Sequence, residues 1–211
     1  MPSNFRTRVD DLTAFTTTDD TALADWLAEG CKVVINAMPI SMLTTVTGET
    51  GDFTPTGGTN VSVPVVGVTR KTAASNGITY QCRLIPHTLK HEAQDEDNIL
   101  YATETDPVYY IEPQSGTSAN QIKILPLSSS NLCNATIIQY PTPAVTDTSI
   151  TLFPDEHEHL VVLYAAVKAV EQLLAVEEDM ELYVPMLTNL KQDYATGLAE
   201  IKPPPPQQAR R

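Results

Sequence analysis

Residues 153–175 read FPDEHEHLVVLYAAVKAVEQLLA, and the reading of this stretch decides the fold and whether the chain looks like an enzyme. Two histidines stand among three carboxylates, as in a metal site. At about 100° of rotation per helical residue, however, His157 and His159 point roughly 200° apart, and HEH lacks the i, i+4 pair of HExxH. The letters fit a helix entry instead. Phe153 is an apolar staple, Pro154 presets φ, and Asp155, Glu156 and Glu158 face the positive end of the helix dipole. Behind this entry Leu160, Leu163, Tyr164, Val167, Val170 and Leu174 form a stripe, which Ala165, Ala166 and Ala169 extend around most of the circumference. A helix so patterned is buried on several sides.

Further along, Met180, Val184, Leu187, Leu190, Tyr194, Leu198 and Ile201 recur every three or four residues. Pro185 should kink this second helix or mark its first turn. The chain closes with PPPPQQARR, which must be extended and cannot pack as a helix. Upstream, residues 18–37 place Leu23, Trp26, Leu27, Gly30, Val33 and Val34 at helical spacing behind a Thr/Asp cap, and Pro39 stops that helix.

Residues 41–143 change in character to Thr, Val, Gly and Pro. Short strands are expected at 61–68, 78–84, 108–111, 122–125 and 135–140, with Asn76-Gly77 and Ser115-Gly116 as turn signals. TGETGDFTPTGGTN, residues 47–60, lacks GK[ST] and reads as an exposed loop or hairpin tip rather than a phosphate loop. The expectation is an α+β chain. Its parts are an N-terminal helical segment at 1–40, an antiparallel β domain with long loops at 41–150, a helical hairpin at 151–202 packing with the N-terminal helix, and an extended tail at 203–211.

Composition narrows the function. The 211 residues are 42% hydrophobic with 16 prolines, which describes a globular chain, while a 6% aromatic share implies a modest core. Thirteen basic against 26 acidic residues give a formal charge of −13, which disfavours nonspecific affinity for a nucleic-acid backbone over most of the surface. An acidic wall past which DNA slides is compatible with that charge. Cys31, Cys82 and Cys133 form no CxxC and suggest neither a zinc site nor a disulfide framework, so they are read as reduced and buried. No signal peptide is read at the start, and the longest apolar run is too short to span a bilayer, so no membrane partner is expected.

His87 and His91, in IPHTLKHEAQDED, have i, i+4 spacing with carboxylates nearby, but Pro86 and the polar surroundings suggest a loop crossing. Glu92, Asp95, Glu96 and Asp97 form a solvated run without the ordered EF-hand pattern. Ser128 to Ser130 lack a GxSxG elbow. Tyr109 and Tyr110 read as strand residues, one ring buried and one exposed. No catalytic residue, metal ligand or cofactor is therefore assigned.

The layout carries a resemblance. A helix ending in Met38-Pro39, a sheet region carrying DEDNILYATETDPVYYIE and later QIKILPLS, then FPDEHEHLVVLYAAVKAVEQLL and a further helix, together resemble structural proteins of tailed bacteriophages. The chain is most similar to the neck adaptor, or head-completion, class between portal and tail. This implies a non-enzymatic virion protein, made in the host cytoplasm, in a homo-oligomeric ring of roughly twelve copies. Its partners would be the portal protein and a tail terminator or other neck protein, with DNA passing through the channel without sequence-specific contact. The ring-packing surface would be Leu160, Leu163, Tyr164, Ala166, Val167 and Val170. The portal-docking segment would be Ile201, Lys202, Pro203, Pro204, Pro205, Pro206, Arg210 and Arg211, the alternative being a solvated end. Two other roles stay open: a different neck or tail ring such as the tail terminator, and a metal-dependent hydrolase built on His87 and His91.

Overall fold

The computed structural model describes residues 3–17, 19–72, 77–114, 119–175 and 183–202. The chain is α+β, as its patterning requires, and forms two compact units. One is helical and discontinuous, Met1–Val46 with Tyr140–Arg211; the other, Thr47–Gln139, carries all the described strands. The β unit is therefore shorter than the expected 41–150. Ile40–Thr45 winds as 3-10 turns in the helical unit, to which the chain also returns from Tyr140.

The helical unit contains α1 (Phe5–Thr13), α2 (Asp20–Ala37), α3 (Glu158–Leu174) and α4 (Tyr183–Ile201). The α1 helix was not anticipated, although Asn4 caps it by accepting from the Thr7 N–H, and Phe5, Val9 and Thr13 bury one face. Asp19 caps α2 through the Thr21 and Ala22 N–H groups, and Leu23, Leu27, Gly30, Cys31, Val34 and Ile35 are buried along it. Pro185 lies among the first described residues of α4.

The centre of this unit is α3, which packs against α1, α2 and α4. Leu160, Val161, Val162, Ala165, Ala166, Val167, Ala169 and Val170 are all buried on it. The several-sided burial read from the sequence is thus supplied by three helices of the same chain.

The β unit contains β1 (Thr47–Glu49), β2 (Thr59–Val61), β3 (Val65–Lys71), β4 (Thr79–Gln81), β5 (Arg83–Leu84), β6 (Val108–Pro113), β7 (Asn120–Leu125) and β8 (Leu132–Ile138). They make two four-stranded sheets, ordered β1-β8-β3-β4 and β2-β7-β6-β5. All pairings are antiparallel except β5 with β6. Phe53, Val68, Cys133 and Ala135 share one core cluster with Val61, Tyr109, Ile122 and Ile124, so the two sheets bury their facing sides against each other.

Two expected strands are each divided between the sheets. Residues 61–68 break at Ser62–Pro64, where the chain passes from β2 in one sheet to β3 in the other. Residues 78–84 break at Cys82, whose N–H donates to Val68, whereas the Arg83 N–H donates to Pro107 beside β6. Segment 47–60 is not an exposed loop: it holds β1 and the start of β2, and Phe53 bridges Cys133 from a buried position. Gly58, at φ 65, makes the turn there, since a Cβ would lie 2.6 Å from the Ile122 carbonyl oxygen. Tyr109 and Tyr110 are both buried, because Ile85, Ala93 and Ala102 cover the other side of β6 around Val108 and Tyr110. The turn signals at Asn76 and at Ser115-Gly116 lie outside the described residues.

Candidate functional site

The start of α3 is more tightly built than a solvated first turn. Asp155–His157 forms a 3-10 turn that leads into α3 at Glu158, with Phe153 and Pro154 buried before it. Asp155 and Glu156 are exposed, as expected of carboxylates at a helix entry. Glu158 is not: it is buried, accepts the Ile150 N–H at 2.5 Å, and pairs with Arg8 Nη1 at 3.3 Å. Arg8 also lies over the Phe5 ring, 5.1 Å from its centroid. This carboxylate therefore ties α1, the segment before α3 and α3 itself together. His159 Nδ1 lies 2.9 Å from the Glu156 carbonyl oxygen and acts on its own turn.

Two of the grooves in the helical unit adjoin the start of α3. The first, of about 480 Å³, is lined by Met42, Thr44, Thr45, Phe153, Pro154, Asp155, Glu156 and His157. The second, of about 420 Å³, lies between α1 and α3 and is mostly apolar, with Leu12, Val162 and Leu163 beside Arg8, Asp11 and His159. Around the first groove the chain exposes apolar surface: Met42 is 45% exposed, and Leu152, next to Phe153, is 53% exposed at φ 60.

The residues expected to pack a ring divide in two. Leu160, Ala166, Val167 and Val170 are buried within the chain's own helical unit, whereas Leu163 and Tyr164 are half-buried. Tyr164 stacks at a tilt on Tyr194, 5.7 Å between centroids, and its hydroxyl is pushed well above the usual tyrosine range by burial and then by the Glu29 carboxylate. Of the expected portal-docking segment, Ile201 is buried as the last residue of α4 and Lys202 is exposed. Pro203, Pro204, Pro205, Pro206, Arg210 and Arg211 lie outside the described residues.

In the β unit, His87 and His91 are both exposed, on and beside two short 3-10 turns, His87–Leu89 and Glu92–Gln94. His87 Nε2 and Lys90 Nζ both approach Glu112, at 3.9 and 3.7 Å. Among the described residues no group of three or more His, Cys, Asp or Glu is placed to hold a metal ion. Among them also, no helix is long and apolar enough to cross a membrane.

Sequence reading missed Arg70, whose side chain is fully buried. Its Nη1 donates to the Pro126 carbonyl at 2.8 Å. With the Asn131 amide oxygen turned toward it, that oxygen accepts from Nε at 3.1 Å and Nη2 at 2.8 Å, while the Asn131 nitrogen donates to the Thr72 carbonyl at 2.7 Å. The nearest carboxylate, Glu104, is 3.9 Å away and 68% exposed. Arg70 thus holds the β7–β8 connection and the end of β3 through neutral acceptors. A basic residue in a Thr/Val-rich strand gives no sign of this in the sequence, because its acceptors come from distant positions.

No protein-family model matches the chain, and no curated protein matches it in sequence.

Proposed function

We propose that the chain is a structural virion protein, a neck adaptor that forms a ring between the portal and the tail and surrounds the DNA channel. The observation that carries this reading is the layout: a contiguous, mainly antiparallel β unit set in sequence between α2 and α3 of an otherwise helical unit, in the order the sequence resemblance rests on. The formal charge of −13 supports it, because a wall past which DNA slides should not bind the backbone tightly.

Burial of α3 within its own chain moves the ring contacts elsewhere. Leu160, Ala166 and Val170 are covered by α1, α2 and α4 and act in the ring only by shaping those helices. Subunit contacts fall instead to apolar side chains left at the surface of the helical unit, Leu12, Leu163 and Val184.

Native mass spectrometry and negative-stain imaging of the purified chain, alone and with a portal, test the reading. A closed ring in either sample is the expected result. A chain that stays monomeric alone and does not associate with any portal overturns it. Elemental analysis of protein purified without chelator separates the hydrolase alternative: a stoichiometric transition metal lost on replacing His87 and His91 by Ala would favour an enzyme.

A further inference from the structure

In the β unit, the loop between the 3-10 turn Glu92–Gln94 and β6 holds an isoleucine almost wholly in solvent: Ile99 is 96% exposed. The loop is nevertheless closely built. Asp95 accepts the Asp97 N–H through Oδ1 at 3.1 Å and the Asn98 N–H through its carbonyl at 3.0 Å, and Asn98 serves the Leu100 and Tyr101 N–H groups in the same way, both at 2.9 Å. Its ends meet where the Ala102 N–H donates to the Ala93 carbonyl, and both alanines are buried in the cluster around Val108 and Tyr110. The tip is thus shaped before any partner arrives, and docking it orders little. Asp95, Glu96 and Asp97 flank it, all exposed, and among the described residues the ion pairs of the β unit leave all three out.

We propose that this tip is an assembly knob: Ile99 of one copy inserts into the groove between α1 and α3 of a second copy. The inference rests on the ring reading and names one of its subunit contacts. The groove, about 420 Å³, has room for an isoleucine side chain, and its apolar lining is Leu12, 39% exposed, half-buried Leu163, and Val162. Filling it takes from water both Ile99 and the face of Leu12 that the chain leaves open. Charge favours this groove over the one beside Met42. There Asp155 and Glu156 would repel an acidic tip, whereas the α1–α3 groove carries Arg8. Glu158 engages Arg8 through Nη1, and a guanidinium has five donors, so Asp97 of the incoming tip can share it. Asp11, exposed in the same lining, opposes part of that attraction, so burial of Ile99 supplies most of the affinity and charge supplies the choice of groove. The occupant is a second copy because the chain itself leaves Ile99 open. A knob on one surface and a groove on another make a heterologous contact, which repeats from copy to copy and closes into a ring where the rotation allows.

The test uses the full chain. In sedimentation velocity, Ile99→Asp should weaken self-association about tenfold or more, and Ile99→Leu should preserve it. Neither change disturbs the fold, because the side chain is exposed. The contact itself is read by mixing chains carrying Ile99→Cys with chains carrying Leu12→Cys and oxidising the thiols with copper phenanthroline. Cys31, Cys82 and Cys133 are buried and do not compete. A disulfide-linked dimer should form, and should not form when Leu152→Cys, exposed but outside this groove, replaces Leu12→Cys. A parent chain that stays monomeric alone overturns the docking, as does cross-linking to Leu152→Cys equal to that at Leu12→Cys. Rings that form undiminished with Ile99→Asp strike this contact and leave the adaptor reading standing. An Ile99-to-Leu12 cross-link in open assemblies that never close, alone or on a portal, upholds the docking and strikes the ring.

Discussion

At the scale of single residues, the buried charges and thiols set the most specific expectations. Removing Glu158 would leave the Ile150 N–H and the Arg8 guanidinium without their acceptor. Glu158→Ala should therefore cost about 3 kcal/mol of helical-unit stability, measured by urea unfolding, and Glu158→Gln less, because the amide oxygen still accepts the N–H. In the β unit the same logic separates Arg70 from its carboxylate neighbour. Arg70→Ala orphans the Pro126 carbonyl and the Asn131 amide and should cost about 3 kcal/mol, while Glu104→Gln, removing an exposed partner at 3.9 Å, should cost less than about 1 kcal/mol. The thiols give a pH dependence. Burial pushes Cys31 and Cys82 up to about 12 and Cys133 up to about 11, from an ordinary 9.0. Above pH 9 the unfolded chain loses thiol protons that the folded chain keeps, so stability falls as pH rises from 9 toward 11. Each thiol contributes about 1.4 kcal/mol per pH unit to that fall. Replacing all three by Ala should flatten the loss of melting temperature across this window.

At the scale of elements, α3 shows how much of a helix is decided by what surrounds it. A Cβ at Gly30 on α2 would sit 3.2 Å from Tyr164 Cδ1 and 3.3 Å from Val161 Cγ1, so a residue without a side chain sets the approach of α2 to α3. Gly30→Ala should be close to neutral, its gain in helix propensity offsetting a small push on the neighbours. Gly30→Leu should cost about 1–3 kcal/mol by overpacking, read as a lower melting temperature with an unchanged helical spectrum at 20 °C. Ala166 is wholly buried at the centre of the same helix. Ala166→Glu places a carboxylate there without a partner and should cost roughly 3 kcal/mol or more. The outcome expected is loss of folded helical unit rather than loss of assembly alone; a well-folded variant deficient only in assembly would place this face between subunits. In the β unit, elements are defined by their partners: residues 78–84 read as one strand, yet the ladder of β3 takes one half and that of β6 the other.

At the scale of the whole molecule, the β unit is an insertion with its ends together. Thr47, the first residue of β1, pairs with Ile138 near the end of β8, so the chain enters and leaves the unit on adjacent strands. Residues 47–139 expressed alone should fold, with a sheet-dominated spectrum and a cooperative melt. Replacing them with a short Gly/Ser bridge should leave the helical unit folded. Failure of both pieces to melt cooperatively would mean that neither unit is stable by itself.

The sequence alone determined the α+β class, the stop at Pro39, the α3 entry at FPDEHEH and its apolar circumference, because capping, proline geometry and helical periodicity act over a few residues. It left α1 unread even though Asn4, Phe5 and Val9 carry its signal over only two turns. Tertiary structure decided the rest. It chose which helices cover α3, so that Leu160, Ala166 and Val170 face their own chain, and it turned Glu158 from a dipole partner into a buried ion pair with Arg8, 150 residues away. It buried both Tyr109 and Tyr110 and found acceptors for Arg70 in the β7–β8 connection. Each of these depends on a group brought near by the fold, and separation along the chain carries no record of which group that will be.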